Sequence, residues 1–279
     1  MFYYKTFEDS DGFKYSLDML RLDLDFDLNA SKVIKWLMAL DTYSDVFHFQ
    51  YYHSLKPYTY KHLFNISVDD FSFVVGLGFV GFDNKENKHG FIEFNPNKLE
   101  NSYDFRNFRT TLFNYCDSVK LVRYDLAIDL PFPRSSVKLV RNSKKLYSYL
   151  IKDTGVTEYS GRRSNAGFIK LYDKTIESDL SYPLTRLEIT LDSSSQLEDF
   201  FPEVWIYDQQ YKLLLDDSLS STQKVLVRLI READIPSRFL KDLNPCTYQK
   251  IKPFLYDKKL LLASDCWRNV RSLARSYCF

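Results

Sequence analysis

Leu121 to Leu130 reads L-V-R-Y-D-L-A-I-D-L, and this stretch decides the fold class. Polar and apolar residues alternate with period two, which is the signature of a strand buried on one face. Val122, Tyr124, Leu126, Ile128 and Leu130 are expected on the apolar face. Arg123, Asp125 and Asp129 are expected on the other. Leu184 to Leu191 (L-T-R-L-E-I-T-L) repeats the layout, with Arg186 and Glu188 opposite Leu187, Ile189 and Leu191. Gly167 to Lys174 (G-F-I-K-L-Y-D-K) places Phe168, Lys170, Tyr172 and Lys174 opposite Ile169 and Leu171. If these strands pair, one sheet face gathers carboxylates, basic groups and a tyrosine.

Leu20 to Leu28 (L-R-L-D-L-D-F-D-L) is a further alternating strand, carrying Arg21, Asp23, Asp25 and Asp27 on one face. Its pattern R-x-D-L-x-x-D-L recurs at Arg123 to Leu130. Gly90-Phe91-Ile92 likewise echoes Gly167-Phe168-Ile169. These echoes predict an α+β chain of two related α/β halves with antiparallel sheets. Residues 1–105 form the first half, which is non-catalytic, and 106–217 the catalytic one. In that alignment Asn95 stands where Tyr172 stands. Between the echoes, Lys32 to Leu40 has helical spacing behind an Asn29 or Ser31 cap. Lys144 to Lys152 is also read as helical, as is the stretch after Ser195 through Tyr211 and Leu215. Ser160 to Asn165, a polar turn bearing Arg162 and Arg163, joins two strands as a basic hairpin tip.

The 279 residues are 45% hydrophobic and 17% aromatic, so a core is expected, and the aromatics favour strands. Net charge is +1, but 12 of the 38 Lys and Arg, against 5 of the 37 Asp and Glu, lie in 218–279. That segment is therefore +7 on a body of −6. Its short amphipathic helices suggest a winged-helix-like DNA-binding module presenting Lys250, Lys252, Arg268 and Arg271. The four cysteines form no C-x-x-C pair, and no histidine stands at zinc spacing. No signal peptide or membrane-spanning run is present, so a cytoplasmic protein without membrane contact is expected. No G-x-S-x-G elbow supports a serine hydrolase.

The chemistry suggested by the shared face is metal-assisted phosphoryl transfer. Asp125, Asp129 and Glu188 offer oxygen ligands suited to magnesium or manganese. Tyr172 is the candidate nucleophile, with Lys170 or Lys174 lowering its effective pKa and steadying phosphate. Arg162 and Arg163 would grip a DNA backbone. The bland alternative is that Arg123–Asp125 and Arg186–Glu188 are ion pairs on a solvated sheet face.

The run T-E-Y-S-G-R-R-S-N-A-G-F-I-K-L-Y-D-K-T-I-E-S (Thr157 to Ser178) lies between R-Y-D-L-A-I-D-L and L-T-R-L-E-I-T-L. Together these resemble the trans-acting rolling-circle replication initiators of Gram-positive plasmids, and the related relaxases of integrative elements. The resemblance covers about residues 120–192. It implies DNA nicking through a 5′-phosphotyrosine at Tyr172, with Glu188 and Asp125 or Asp129 at the metal-binding strand positions. It also implies single- and double-stranded origin DNA as partners, with a helicase as a further candidate partner. One matching tyrosine per chain implies that a second subunit or water ends replication, hence a homodimer. The chain is shorter than typical family members and its carboxy-terminal region has no match among them. A non-catalytic DNA-binding initiator or regulator, with Tyr172 structural, is the other functional reading. A structural or interaction protein is the third.

Overall fold

The two strands that share the R-x-D-L pattern lie side by side at the centre of the molecule. In the computed structural model the described residues are 5–26, 30–54, 59–79, 88–140, 144–152, 155–163, 165–206, 219–232, 240, 242–255 and 258–279. Strand β1 (Phe7–Glu8) pairs with β2 (Lys14–Asp25), and helix α1 (Ala30–Tyr43) follows. Then come β3 (His48–His53), β4 (Tyr60–Val68), β5 (Phe71–Phe79) and β6 (His89–Phe94). Helices α2 (Pro96–Leu99) and α3 (Tyr103–Phe113) lead to β7 (Ser118–Leu130). The chain continues through β8 (Val137–Leu139), β9 (Tyr147–Lys152), β10 (Gly155–Ser160) and β11 (Ile169–Asp173). A single turn of helix, α4 (Lys174–Glu177), connects to β12 (Thr185–Asp192). After α5 (Leu197–Phe200) and β13 (Val204–Ile206) come α6 (Ser221–Glu232), α7 (Pro245–Leu255), β14 (Lys258–Lys259) and α8 (Ser264–Arg275).

Among the described residues the large sheet has 11 strands, in the order β3-β4-β5-β6-β2-β7-β12-β11-β10-β9, with β1 beside β2. Every pairing is antiparallel. Read outward from the β2–β7 seam, both halves follow one rule. The first strand is central, the last returns beside it, and the others step outward in reverse order. The mixed α+β class and the two related halves are therefore as the sequence predicts.

The strand-level alignment needs one correction. β6 neighbours β2 as β12 neighbours β7, so β6 corresponds to β12 and β5 corresponds to β11. Gly90-Phe91-Ile92 thus does not match Gly167-Phe168-Ile169, and Asn95 is not the counterpart of Tyr172. A three-residue strand match carries no information about sheet position. Two other expectations fail. Lys144 to Lys152 contains strand β9 rather than helix, because pairing with β10 along its length outweighs local helix preference. Beyond Ser195 the chain makes only one helical turn before β13, which pairs with β8 and β14 in a small sheet. The expected helix through Tyr211 and Leu215, the Asn29 cap and Asp27 lie outside the described residues.

One face of the large sheet is dry. Tyr15, Leu17, Leu20, Leu22, Leu24, Tyr124, Leu126, Ile128, Leu187, Ile189 and Leu171 form a continuous core with residues of α1, α3, α8 and the small sheet. α8 contributes Trp267, Val270 and Ala274 to this core, and Ala263 at its start donates its backbone N–H to the Tyr15 hydroxyl at 3.3 Å. α6 and α7 bury a separate cluster of Leu219, Val227, Ile230, Leu240, Ile251 and Leu255. The opposite face of the sheet carries the polar residues of the predicted strands.

Two bulges break the period. Between Leu17 and Met19 the β2–β7 register shifts, so Asp18 and Met19 follow one another on the polar side before Leu20 resumes the core. A second shift lets Leu121, rather than the predicted Val122, take the core position on β7. Such bulges re-aim side chains beside functional sites.

Candidate active site on the polar sheet face

Antiparallel register sets the site in two rows. Lys170 on β11 faces Glu188 on β12, which faces Ala127 on β7. Tyr172 faces Arg186, which faces Asp129. Parity places all of these on the face opposite the core, as the sequence predicts.

The Tyr172 hydroxyl donates to Glu188 Oε1 at 2.6 Å. Lys170 Nζ donates to Glu188 Oε2 at 3.5 Å and sits 3.8 Å above the Tyr172 ring. Tyr172 is 5% exposed. Burial and then the Glu188 charge push its pKa far above that of a free phenol, while Arg186 pulls it down. The group is a phenol aimed at a carboxylate. Glu188 itself is raised by burial and by nearby Asp18, against the pull of Lys170 and Tyr172. A carboxylate with a raised pKa, hydrogen-bonded to the hydroxyl it would deprotonate, has the chemistry of a general base.

Arg186 is not the partner of Glu188. Its Nε and Nη2 bond both oxygens of Asp129 at 2.6 and 2.8 Å, and its Nη1 bonds Asp18 at 3.0 Å. Burial pulls the guanidinium down, but the Asp129 bonds and the Asp129 and Asp18 charges hold it well above its ordinary value. Asn95 Nδ2 donates to Asp18 at 3.2 Å. The first half thus reaches across the seam through Asp18 and Asn95 to fix Arg186. Sequence reasoning missed Asp18, although the spacing of Tyr15, Leu17, Leu20 and Leu22 signals the bulge that aims it.

Arg123 is not paired with Asp125 in the expected way either. Arg123 Nη2 lies 3.6 Å from Glu93, which also accepts from Arg21 at 3.4 Å. Asp125 Oδ1 is buried with no hydrogen-bond partner. Burial raises the Asp125 pKa, opposed by Thr190 and Arg123. Asp125, Glu188, Glu93, Arg123, Lys170, Tyr159, Phe168 and Arg163 all line one cavity of about 610 Å³.

The other predicted site residues divide. Lys174 opens α4 instead of extending β11, and its ammonium is paired with Glu177 while lying 5.9 Å from the Tyr172 ring centre. Arg162 and Arg163 are exposed in the β10–β11 turn, where Gly161 adopts a φ of +95° that an L side chain resists. Lys250 is exposed on α7. Lys252 is paired with Glu203 at 3.6 Å. Arg271 ties α8 to the segment after β12, through Gln196 at 3.2 Å and the Ser193 carbonyl at 3.3 Å. Arg268 pairs with Asp265 at 3.1 Å. α8 packs on the core face, so Arg268 and Arg271 lie behind the sheet from the cavity.

Among the described residues no cluster of three or more His, Cys, Asp or Glu is placed to hold a metal ion. No helix is long and apolar enough to cross a membrane among those residues. No family model and no curated protein matches the chain. Among solved structures, that of a rolling circle replication initiator protein from Geobacillus stearothermophilus is similar at 15% identity, covering 95% of this chain and 97% of that one, with a TM-score of 0.38.

Proposed function

We propose that this chain nicks single-stranded DNA and joins it covalently to Tyr172, as an initiator of rolling-circle replication. The observation that carries the reading is the 2.6 Å hydrogen bond from the Tyr172 hydroxyl to Glu188, a carboxylate that lines a cavity together with Asp125. The motif resemblance of residues 120–192 supplies the substrate class.

In this reading Glu188 takes the phenol proton as Tyr172 Oη attacks a backbone phosphorus. The Oη–P bond forms, the P–O3′ bond breaks, and the departing 3′-oxygen takes a proton from water to leave a primer end. Lys170, above the ring, offsets the charge that grows on Tyr172. Arg186 cannot leave its two aspartates without exposing buried charge, so it holds the strand beside Tyr172 rigid.

The donors present fit a hard divalent cation. Asp125 and Glu188 would hold magnesium or manganese, because magnesium sites commonly use one or two carboxylates and leave the remaining positions to substrate phosphate and water. The orphaned Asp125 Oδ1 supports this assignment. Asp129 is committed to Arg186 and is the weakest member of the expected trio. Such a cation supplies charge neutralisation at a non-bridging phosphate oxygen.

The second reading, a non-catalytic DNA-binding regulator, draws on the 5% exposure of Tyr172. One experiment separates the two. Labelled oligonucleotides from the encoding element are incubated with the protein and manganese, then resolved on a denaturing gel. An adduct that disappears with chelator and with Tyr172→Phe, but survives Tyr159→Phe, supports the nicking reading. Salt-sensitive DNA binding without an adduct supports the regulator.

A further inference from the structure

The cavity is chemically divided. One end holds Asp125, Glu188 and Glu93, and the other holds Tyr159, Phe168, Gly161 and Arg163. The Tyr159 and Phe168 rings lie nearly parallel, with centroids 6.0 Å apart and planes 18° apart. Both are half-buried, and neither belongs to the hydrophobic core or its margin. Tyr159 faces Lys170 across the β10–β11 pair, and Lys170 faces Glu188. Tyr159 is therefore two strand spacings, about 10 Å, from Glu188, while the Phe168 carbonyl accepts the Thr190 backbone N–H at 2.9 Å and so lies one strand from β12.

We infer that Tyr159 and Phe168 form a stacking subsite for one base of a single-stranded nucleic acid, with exposed Arg163 contacting that strand's backbone. This deepens the nicking reading, which supplies the nucleic acid. A ring pair already in contact leaves no slot for insertion, so the base lies on the open side of the pair. Aromatic faces accept any base, and a neighbouring arginine adds charge attraction, so the subsite fixes position along the strand without reading sequence. The cavity's 610 Å³ lies within the usual range for pockets that enclose a small ligand. The subsite would hold a nucleotide close to the scissile phosphate while the phosphate itself meets Glu188.

The test uses fluorescence anisotropy with the full chain and a labelled single-stranded oligothymidylate, in magnesium. Phe168→Leu and Tyr159→Leu keep apolar volume and remove the ring face. Each is expected to raise Kd about tenfold. Tyr159→Phe restores the ring face and should recover the affinity lost in Tyr159→Leu. A single abasic residue is then walked along the oligonucleotide. The parent should lose affinity at one position, and Phe168→Leu should no longer sense that position. Parental affinity in both leucine variants, or abasic sensitivity that persists in them, overturns the subsite. Ring-dependent abasic sensitivity in a protein that forms no covalent adduct keeps the subsite and defeats the nicking reading. Adduct formation with no ring dependence does the reverse.

Discussion

The two halves of the sheet follow one strand order, yet they spend their polar faces differently. On β11 the outward positions are Lys170 and Tyr172. On β5, which occupies the corresponding place, they are Ser72, Val74, Gly76 and Gly78. Phe91 of β6 faces Gly76 directly and lies across it, so that a Cβ there would sit 2.2 Å from the ring. Arg21 stacks over the same ring at 3.8 Å, and Tyr60 meets it edge-on at 4.6 Å. The first half fills with aromatic packing the space that the second half leaves as a cavity. What it retains is a supporting part: Asp18, Asn95 and Glu93 act across the seam on Arg186 and Arg123. Related backbones thus diverge into a scaffold and a site through a few outward side chains.

The sharpest test of this division is the base. Glu188→Gln keeps the shape and a hydrogen bond but removes the proton acceptor. Adduct formation should fall by about 10²–10⁴-fold, the usual worth of general-base catalysis, with extra manganese restoring it only in part. Quantified gel shifts over time give the rate. A drop of less than threefold would mean the second half is no more catalytic than the first.

Coupling across the seam comes next. Arg186→Met leaves Asp18 and Asp129 facing each other without their cation. Removal of one partner from a buried ion network costs about 3–5 kcal/mol, read as a lower urea midpoint. If stability is unchanged, the halves do not depend on one another through this residue.

The packed state of the first half can be broken by one methyl group. Gly76→Ala should cost about 1–3 kcal/mol by overpacking against Phe91. Gly76→Ala combined with Phe91→Leu should recover part of that loss. Adduct formation should respond only through stability, since Phe91 touches nothing at Tyr172.

The smallest expected effect is a pH dependence. Two arginine–glutamate pairs are buried on the core side, Arg109–Glu100 and Arg134–Glu158, each at 3.3 Å. Burial raises the Glu100 pKa, although Arg109 and Tyr277 pull it down. A carboxyl with a raised folded pKa binds more protons folded than unfolded. Its contribution is therefore full below the ordinary glutamate pKa of about 4.3 and is lost as pH rises through the folded value. Urea titrations from pH 4 upward should show this slope in the parent chain and a flatter one in Glu100→Gln.

The site was legible as far as parity carries. Arg186, Glu188, Lys170, Tyr172, Asp125 and Asp129 lie on the predicted face because each strand alternates and each is buried on one side. The pairing of those charges was not legible. Sequence order sets Arg186 beside Glu188, but register sets it opposite Asp129, and a bulge 168 residues away delivers Asp18. Lys174 left the face because Asp173 caps a helical turn through Ile176 at that point. The β9 segment was misread because local pattern does not report an edge pairing. The basic carboxy-terminal helices looked like one surface, whereas Trp267 and Val270 draw α8 onto the core face and leave its arginines behind the sheet.

By itself, then, the sequence determined which residues are strand-forming, which face of each is wet, and that two halves share a design. Those properties follow from period-two alternation and side-chain chemistry, which are local. Tertiary structure alone decided that Tyr172 donates to Glu188, that Asp129 is locked by Arg186, that the first half props the second, and that Asp125 keeps an unpartnered buried oxygen. These depend on strand register and on contacts between residues far apart in the chain, and a one-residue slip in either would remake every pair.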